Sequence, residues 1–506
     1  MSGLSQSGVS AVKWSAMSTV ARFGLQLIAQ VVLARTLGPE TYGIFAIGML
    51  VLTFAGFFSS FGFSWSLLRR ASVCEEDVRF AWTWQIMVGL VTTLTVYLLA
   101  PQLAEYFREP RALAVIQWLS LACLLSAAAA PSTYLLQRDL NFRAAGLIQV
   151  GSYAAGYIAV GMPMALAGCG AASLVAAWLV QLVVALASSY ALKPHAVRPL
   201  FWYAEATAAM GTGRAVFLTN VVNWLLGNLD RVLIGRLLNA HALGLYNVAY
   251  NLAVLPNSLL LGALQPTFMA AGSRLQNEPE RLGRAYFQII ASIFVLVFPA
   301  FVFMALISPD LVHLLYGSQW REAGWVLQIL FLGMPFYVIF GLSTPVLWNT
   351  GRTYHESALQ LPILALGALG FYLLAGRGIR MAAAVAAALL VLRALIIGAT
   401  ALRVLQLRAA ALLPHIGRGA LLGVLCALCA WAGQRVTASF DTPLLSLSAS
   451  ALLAAGMLAA LITVWPQLLG DQTTAMVIRF FPCLGSVFDP KKIPMTLPDA
   501  VSEQRL

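Results

Sequence analysis

The sequence predicts an all-α integral membrane protein with about 14 transmembrane helices, grouped as two parallel-repeat six-helix bundles plus two extra C-terminal helices. Three observations predict it. Of 506 residues, 60% are hydrophobic and 10% charged, with mean hydropathy +0.83. A soluble chain carries about a quarter charged residues. The apolar residues fall in runs near the length of roughly 20 that crosses a hydrocarbon core of about 30 Å. Finally, "LARTLGPETYGIF" (33–45), between the first two runs, is echoed 201 positions later by "IGRLLNAHALGLY" (234–246).

Hydropathy, turn residues and charge clusters place the spans at 15–37, 43–66, 80–100, 112–133, 144–161, 169–192, 215–238, 244–267, 285–308, 325–348, 357–375, 381–402, 416–434 and 443–465. The N-terminus is polar and has no short apolar core with a cleavage site, so the first run reads as a retained span. With that terminus inside, 20 of the 31 basic residues fall in inner segments and 8 in outer loops. Excess Lys and Arg mark the cytoplasmic side, so both termini are expected there. The outer loops are short. The longest, 308–324, has room for one small helix or turn, and residues 466–506 read as a disordered cytoplasmic tail.

The echo extends beyond one corner. Arg35, Leu37 and Gly43 recur as Arg236, Leu238 and Gly244; "APQL" at 100–103 recurs as "SPDL" at 308–311; and Pro131 answers Pro345. Six spans per half is an even number, so both halves insert in the same orientation, a recurrent transporter design. The expected domains are bundles at 1–192 and 215–408, a cytoplasmic interfacial linker at 193–214, and two additional helices in 409–465.

Composition narrows the function. The net charge of +12 is scattered over loops, whereas nucleic-acid binding requires a continuous basic face. Of six cysteines, Cys426 and Cys429 form a CxxC inside an apolar helix, where two small residues on one face are the simpler reading than redox or metal chemistry. The five histidines are scattered and no phosphate-binding loop is present, so no catalytic residue, metal site or cofactor is expected.

Chemistry is expected where polar groups enter the spans, because they usually face a bundle interior or a water-filled cavity. Arg22, Gln26 and Gln30 form one stripe on the first span, drifting by about 80° over its length. Arg22 could equally snorkel to the interface. Span seven carries Asn220, Asn223, Asn228, Asp230 and Arg231, and the 201-residue offset sets Asn223 against Arg22 and Arg231 against Gln30. Arg393 is a third intramembrane cation. Asp230 is either a protonatable or cation-binding group, or an anion paired with Arg231 or Arg22.

"VKWSAMSTVARFGLQLIAQVVLARTLGPETYGIFAIG", "LLQRDLNFRAAGLIQV" and "NLDRVLIGRLLNAHALGLYNVAYNLA" resemble polysaccharide-export flippases of the multidrug/oligosaccharidyl-lipid/polysaccharide superfamily. The resemblance runs through the first twelve spans and weakens after Ser357. The second corner departs from the pattern, with Asn239-Ala240-His241 in place of Gly-Pro-Glu. The resemblance implies translocation of polyprenyl-pyrophosphate-linked oligosaccharide across a bacterial inner membrane by alternating access. Coupling to H+ or Na+ and contact with polysaccharide polymerase or export machinery go with it. Arg22, Gln26, Gln30, Asn220, Asn223, Arg231 and Arg393 are then the expected substrate-binding residues, and Asp230 the ion-coupling one. A drug or metabolite antiporter of the same superfamily is the nearest alternative, and a membrane glycosyltransferase or polymerase a more distant one. Three intramembrane cations against one anion favour an anionic substrate.

Overall fold

The computed structural model describes residues 2–59, 67, 73–139, 141–203, 213–274, 278–440 and 442–464, and among them no strand occurs. The expected tail at 466–506 lies outside the described residues, as does part of the expected linker. The helices, in chain order, are α1 (Ser2–Ser59), α2 (Glu75–Tyr106), α3 (Ala112–Arg138), α4 (Phe142–Leu166), α5 (Ala171–Leu192), α6 (Gly213–Leu237) and α7 (Ala240–Arg274). They continue with α8 (279–316), α9 (Arg321–Asn349), α10 (Thr353–Leu374), α11 (Ile379–Val404), α12 (Leu413–Val436) and α13 (Pro443–Val464). Among the described residues, 12 stretches are long and apolar enough to cross a bilayer. The first, Met17–Phe58, is 42 residues long and overlaps both of the first two predicted spans, 15–37 and 43–66.

Two compact units make up the chain. One comprises Met1–Ala249, Leu315–Val326 and Leu364–Val385; the other comprises Tyr250–Leu314, Leu327–Ile363 and Ala386–Leu506.

In the first unit, α1 breaks at Gly38 (φ 73°, ψ 170°), a left-handed conformation open to glycine. Pro39 follows and has no N–H, so the Arg35 carbonyl loses its helical partner and the Ala34 carbonyl faces a broken turn. Both are satisfied from far along the chain. Gln319 Nε2 donates to the Arg35 carbonyl at 2.9 Å and the Ala34 carbonyl at 3.2 Å, and Trp320 Nε1 donates to the Ala34 carbonyl at 2.9 Å. Tyr42 meets the Trp320 ring edge-on with centroids 5.5 Å apart. Residues 308–324 were expected as an outer loop. Instead α8 continues through Pro309 to Tyr316, Gly317 turns the chain (φ 90°), and a short helical turn at Ser318–Trp320 docks on the α1 break.

The second corner is built by other means. Asn239 caps α7, its Oδ1 accepting from the Ala242 N–H at 2.8 Å, a preferred helix-start interaction. The two corners then interlock. A Cβ on Gly43 would stand 1.7 Å from the Ala240 carbonyl oxygen, and one on Gly244 1.9 Å from the Pro39 carbonyl oxygen. The repeated arginines act across the same contact. Arg35 Nε donates to the Leu315 carbonyl in the last turn of α8 at 2.7 Å, and Arg236 Nη1 donates to the Tyr106 carbonyl at the end of α2, also at 2.7 Å. Each guanidinium thus satisfies an orphan carbonyl at the negative end of a helix belonging to the other repeat. Glu40 accepts from Arg111 at 2.6 Å, and Arg111 also pairs with Glu109 at 2.7 Å. Hydrogen bonds to Glu109, then Glu40, raise the pKa of this exposed Arg111.

Elsewhere in this unit, residues 193–203 of the expected linker form no helix, and 204–212 lie outside the described residues. This stretch lies along α2, whose side chains meet its backbone: Thr83 Oγ1 accepts from the Leu200 N–H at 2.9 Å, and Trp84 Nε1 donates to the Phe201 carbonyl at 3.0 Å. Tyr203 OH donates to the buried Asp77.

The second unit has a core of Phe268, Leu282, Tyr286, Ile290, Val338, Leu342, Val346 and Leu402. Its last two helices are held by close backbone approaches. A Cβ on Gly419 of α12 would lie 2.1 Å from the Phe294 carbonyl oxygen of α8, and one on Gly433 2.6 Å from the Ser450 nitrogen of α13. Asp310 of α8 joins them, accepting from Ser446 at 2.6 Å and Gln434 at 3.3 Å.

The corner contact gives a direct test. Gly43→Ala drives a methyl group into a backbone carbonyl, so it is expected to cost about 1–3 kcal/mol, the usual penalty of overpacking. Gly24→Ala, with open space around its Cβ, is expected to gain about 0.5–1 kcal/mol of helix propensity. Unfolding midpoints of the two variants in detergent, one lowered and one raised, are the measurement.

Candidate functional site

The predicted stripe on α1 lies in the first unit, and Arg22, Gln26 and Gln30 are all half-buried. Arg22 Nη1 donates to Gln149 Oε1 of α4 at 3.4 Å, a long contact. Gln30 Nε2 is buried with no hydrogen-bond partner, as are Gln181 Oε1 and Trp178 Nε1 of α5. An unmatched polar atom is costly in an apolar medium, and these three atoms are such groups. The α4 wall adds aromatic faces. A π-helical stretch at Ala154–Gly161, a distortion frequent at functional sites, follows Tyr153, which stacks on Tyr157 at 4.5 Å with planes 14° apart. Amide donors and acceptors beside stacked rings suit sugar hydroxyls and ring faces.

On α6, Asn220 and Asn223 belong to the described helix, but their side chains lie outside the described residues. Asp230 Oδ2 accepts from Tyr246 OH at 2.5 Å, and its Oδ1 from the Arg231 N–H at 2.8 Å. Tyr246 is fully buried and occupies the position that answers Phe45 in the repeat. The carboxylate therefore ties α6 to the start of α7. Arg231 Nη2 reaches the Gly227 carbonyl at 3.4 Å, and Asn228 Nδ2 returns to the Trp224 carbonyl at 3.0 Å.

Arg393 lies in the second unit, inside a polar cluster that sequence reasoning missed. Its Nη2 donates to Gln360 Oε1 at 2.5 Å, and its guanidinium lies 4.0 Å over the Phe340 ring. Gln360 Nε2 donates to Glu356 Oε1 at 2.8 Å, and Trp348 Nε1 donates to Glu356 Oε2 at 2.6 Å. Glu356 and Gln360 are 5% and 4% exposed. One amide thus bridges a cation and an anion that do not touch directly. Glu356 precedes the apolar run of α10, which is why hydropathy sets it at a span end. The signal available was the four-residue spacing of Glu356 and Gln360, which puts both on one helical face.

Taken together, the described helices and the polar groups held among them define a multi-pass helical membrane protein. A profile described as "Polysaccharide biosynthesis protein" matches residues 32–324, and the chain belongs to that family. It is 25% identical over 334 residues to the lipopolysaccharide biosynthesis protein WzxC of Escherichia coli K12, covering 65% of this chain and 67% of that one. It is 27% identical over 342 residues to the succinoglycan biosynthesis transport protein ExoT of Rhizobium meliloti, covering 67% and 69%. Among solved structures it resembles the lipid II flippase MurJ in an inward closed conformation, with TM-score 0.66, 12% identity, and coverage of 89% of this chain and 100% of that one. An inward-facing MATE family transporter of the MOP superfamily follows with TM-score 0.59, 13% identity, and 76% and 94% coverage. These structural likenesses give the fold.

The second-unit cluster yields a prediction. Gln360→Ala removes the bridge and leaves both Arg393 and Glu356 short of a partner. An unsatisfied buried group costs about 1–3 kcal/mol, so the variant is expected to unfold at a lower temperature, and Gln360→Glu to unfold nearer wild type. Tryptophan fluorescence melts, with Trp348 at the cluster, report both.

Proposed function

We propose that the chain is a flippase that moves polyprenyl-pyrophosphate-linked oligosaccharide repeat units across the bacterial inner membrane for polysaccharide export. It is a transporter, not an enzyme. The family match over residues 32–324 carries the reading, and the chemistry of the spans agrees with it. A pyrophosphate is attracted to cations far more strongly at low dielectric than in water. Arg22, Arg231 and Arg393 are the cations assigned to it. Gln26, Gln30, Asn220 and Asn223 are assigned to the sugars, where the unmatched Gln30 amide supports the role.

The mechanism is alternating access between two six-helix halves, 1–192 and 215–408, joined by the 193–214 linker and followed by two additional helices in 409–465. In this reading α1 crosses twice, once on either side of Gly38, and α6 crosses once, so that 14 crossings leave both termini in the cytoplasm. Asp230 is assigned to H+ or Na+ coupling. Its Oδ2 accepts from Tyr246 OH, so a bound cation would compete with that hydrogen bond. Polysaccharide polymerase or export machinery is the expected partner on the outer side.

Flipping of a fluorescent lipid-linked oligosaccharide in proteoliposomes tests the reading. Wild type is expected to flip it, Arg22→Ala to slow it by about tenfold, the equivalent of one charge-assisted contact, and Asp230→Asn to remove its dependence on an ion gradient. Transport unchanged in both variants would overturn the site assignment. Drug efflux without any glycan flipping would overturn the function.

A further inference from the structure

The first unit holds a cavity of about 830 Å³ that none of the polar candidates explains. Its floor is one continuous face of α2. Val88, Val91, Thr95, Leu99 and Leu103 follow at three- and four-residue spacing, and the lining extends from Trp84 to Phe107. Residues at that spacing share a helix face. Helix α1 supplies one wall through Leu50, Phe54 and Phe58, and α6 the other through Trp224 and Val232. Among the described residues that line it, none is charged.

The walls are fixed to each other. Trp224 Nε1 donates to Thr53 Oγ1 at 3.1 Å, and the Trp224 and Phe54 rings lie 4.9 Å apart. Met87, Val91, Leu99 and Tyr106 are 40%, 62%, 47% and 44% exposed, so the groove opens sideways. In a bilayer that opening faces hydrocarbon, and its occupant is a hydrocarbon chain.

Length decides which chain. At 1.5 Å per residue, the 23 steps from Trp84 to Phe107 make a groove of about 34 Å. The whole hydrocarbon core is about 30 Å thick, so a phospholipid chain, confined to one leaflet, reaches only about half of it. We propose that this groove is the seat of the polyprenyl chain of the lipid-linked substrate, an inference that rests on the flippase reading. A chain long enough to cross both leaflets fills the groove end to end. The outer mouth is marked by Arg236, whose guanidinium lies 5.1 Å over the Tyr106 ring.

Photolabelling of the full-length protein in lipid nanodiscs tests the groove. The probe is a diazirine-bearing long-chain polyprenyl phosphate; the comparators are a diazirine-bearing phosphatidylcholine and a prenyl phosphate too short to cross one leaflet. Adducts from the long probe are expected on α2 peptides around Val91 and Leu99 and on α6 around Trp224, displaced by unlabelled polyprenyl phosphate but not by phospholipid. Filling the groove with Val91→Trp and Leu99→Trp is expected to cut this labelling about tenfold, the equivalent of roughly two buried methylene contacts. Leu98→Trp, 61% exposed and off the groove, leaves it unchanged. Should the double variant fail to fold, Val91→Trp alone serves, since its side chain is already exposed.

Labelling of the same residues by the phosphatidylcholine probe to the same extent overturns the proposal, as does full labelling of the filled variant. Flipping run in parallel separates the two readings. Wild type that flips glycan without labelling the groove overturns this inference alone. Wild type that labels the groove and flips nothing overturns the flippase reading and leaves the groove standing.

Discussion

Hydrocarbon offers no hydrogen-bond partner, so a broken helix inside a membrane protein must be repaired from within. The break at Gly38-Pro39 is the sharpest case in this chain, and its repair organises the first unit. Pro39 strips the Arg35 carbonyl of its partner, and Gln319, 284 positions away, supplies the replacement. That replacement comes from a turn far along the chain, so the corner is complete only when that distant segment is in place. The Gly43 and Gly244 approach and the contacts of Arg35 and Arg236 with distant helix ends follow the same logic. The two echoed corners interlock, and neither can be read alone. Such long sequence separation also makes this part of the fold slow to assemble compared with the local α-hairpins.

Charge is managed by the same rule. A guanidinium within a span is expensive unless it is partnered. Arg393 finds an amide and an aromatic face, and the amide carries its influence to Glu356 over two hydrogen bonds. Asp230 finds a tyrosine hydroxyl. None of these contacts is a direct side-chain ion pair. An amide or hydroxyl partner is given up at a lower cost than a bidentate salt bridge.

Much of this was legible from sequence because it depends on composition and repetition. The span pattern, the corner and its echo, and the polar stripe on α1 follow from residue spacing. Long-range partners do not. Arg35 and Arg236 could be placed at an outer corner, but nothing local says that each caps a helix of the other repeat. Gln319 and Trp320 sit in what reads as a loop, since Pro309 looks like a helix end and in fact lies inside α8. Glu356 escaped because hydropathy averages over a window, and a buried carboxylate at the edge of an apolar run looks like a headgroup-level one. The groove escaped because its lining reads as ordinary apolar span sequence; only the juxtaposition of α1, α2 and α6 makes it concave.

An amphiphilic cargo sets opposite demands on a transporter, and α6 is where they meet. A pyrophosphate requires cations and amides, whereas a polyprenyl chain requires their absence. Trp224 forms part of the apolar groove wall, and Arg231, seven positions on, returns to within about 20° of the same direction on the helix. Greasy and charged surface therefore follow one another along a single face. A helix serving the chain alone would be uniformly apolar, and one serving the headgroup alone would turn its aromatic residues elsewhere. The crowding of Asn223, Asn228, Asp230 and Arg231 makes α6 the most polar of the predicted spans. Its departure from the hydropathy rule fits the proposed assignment of α6 to both ends of such a molecule.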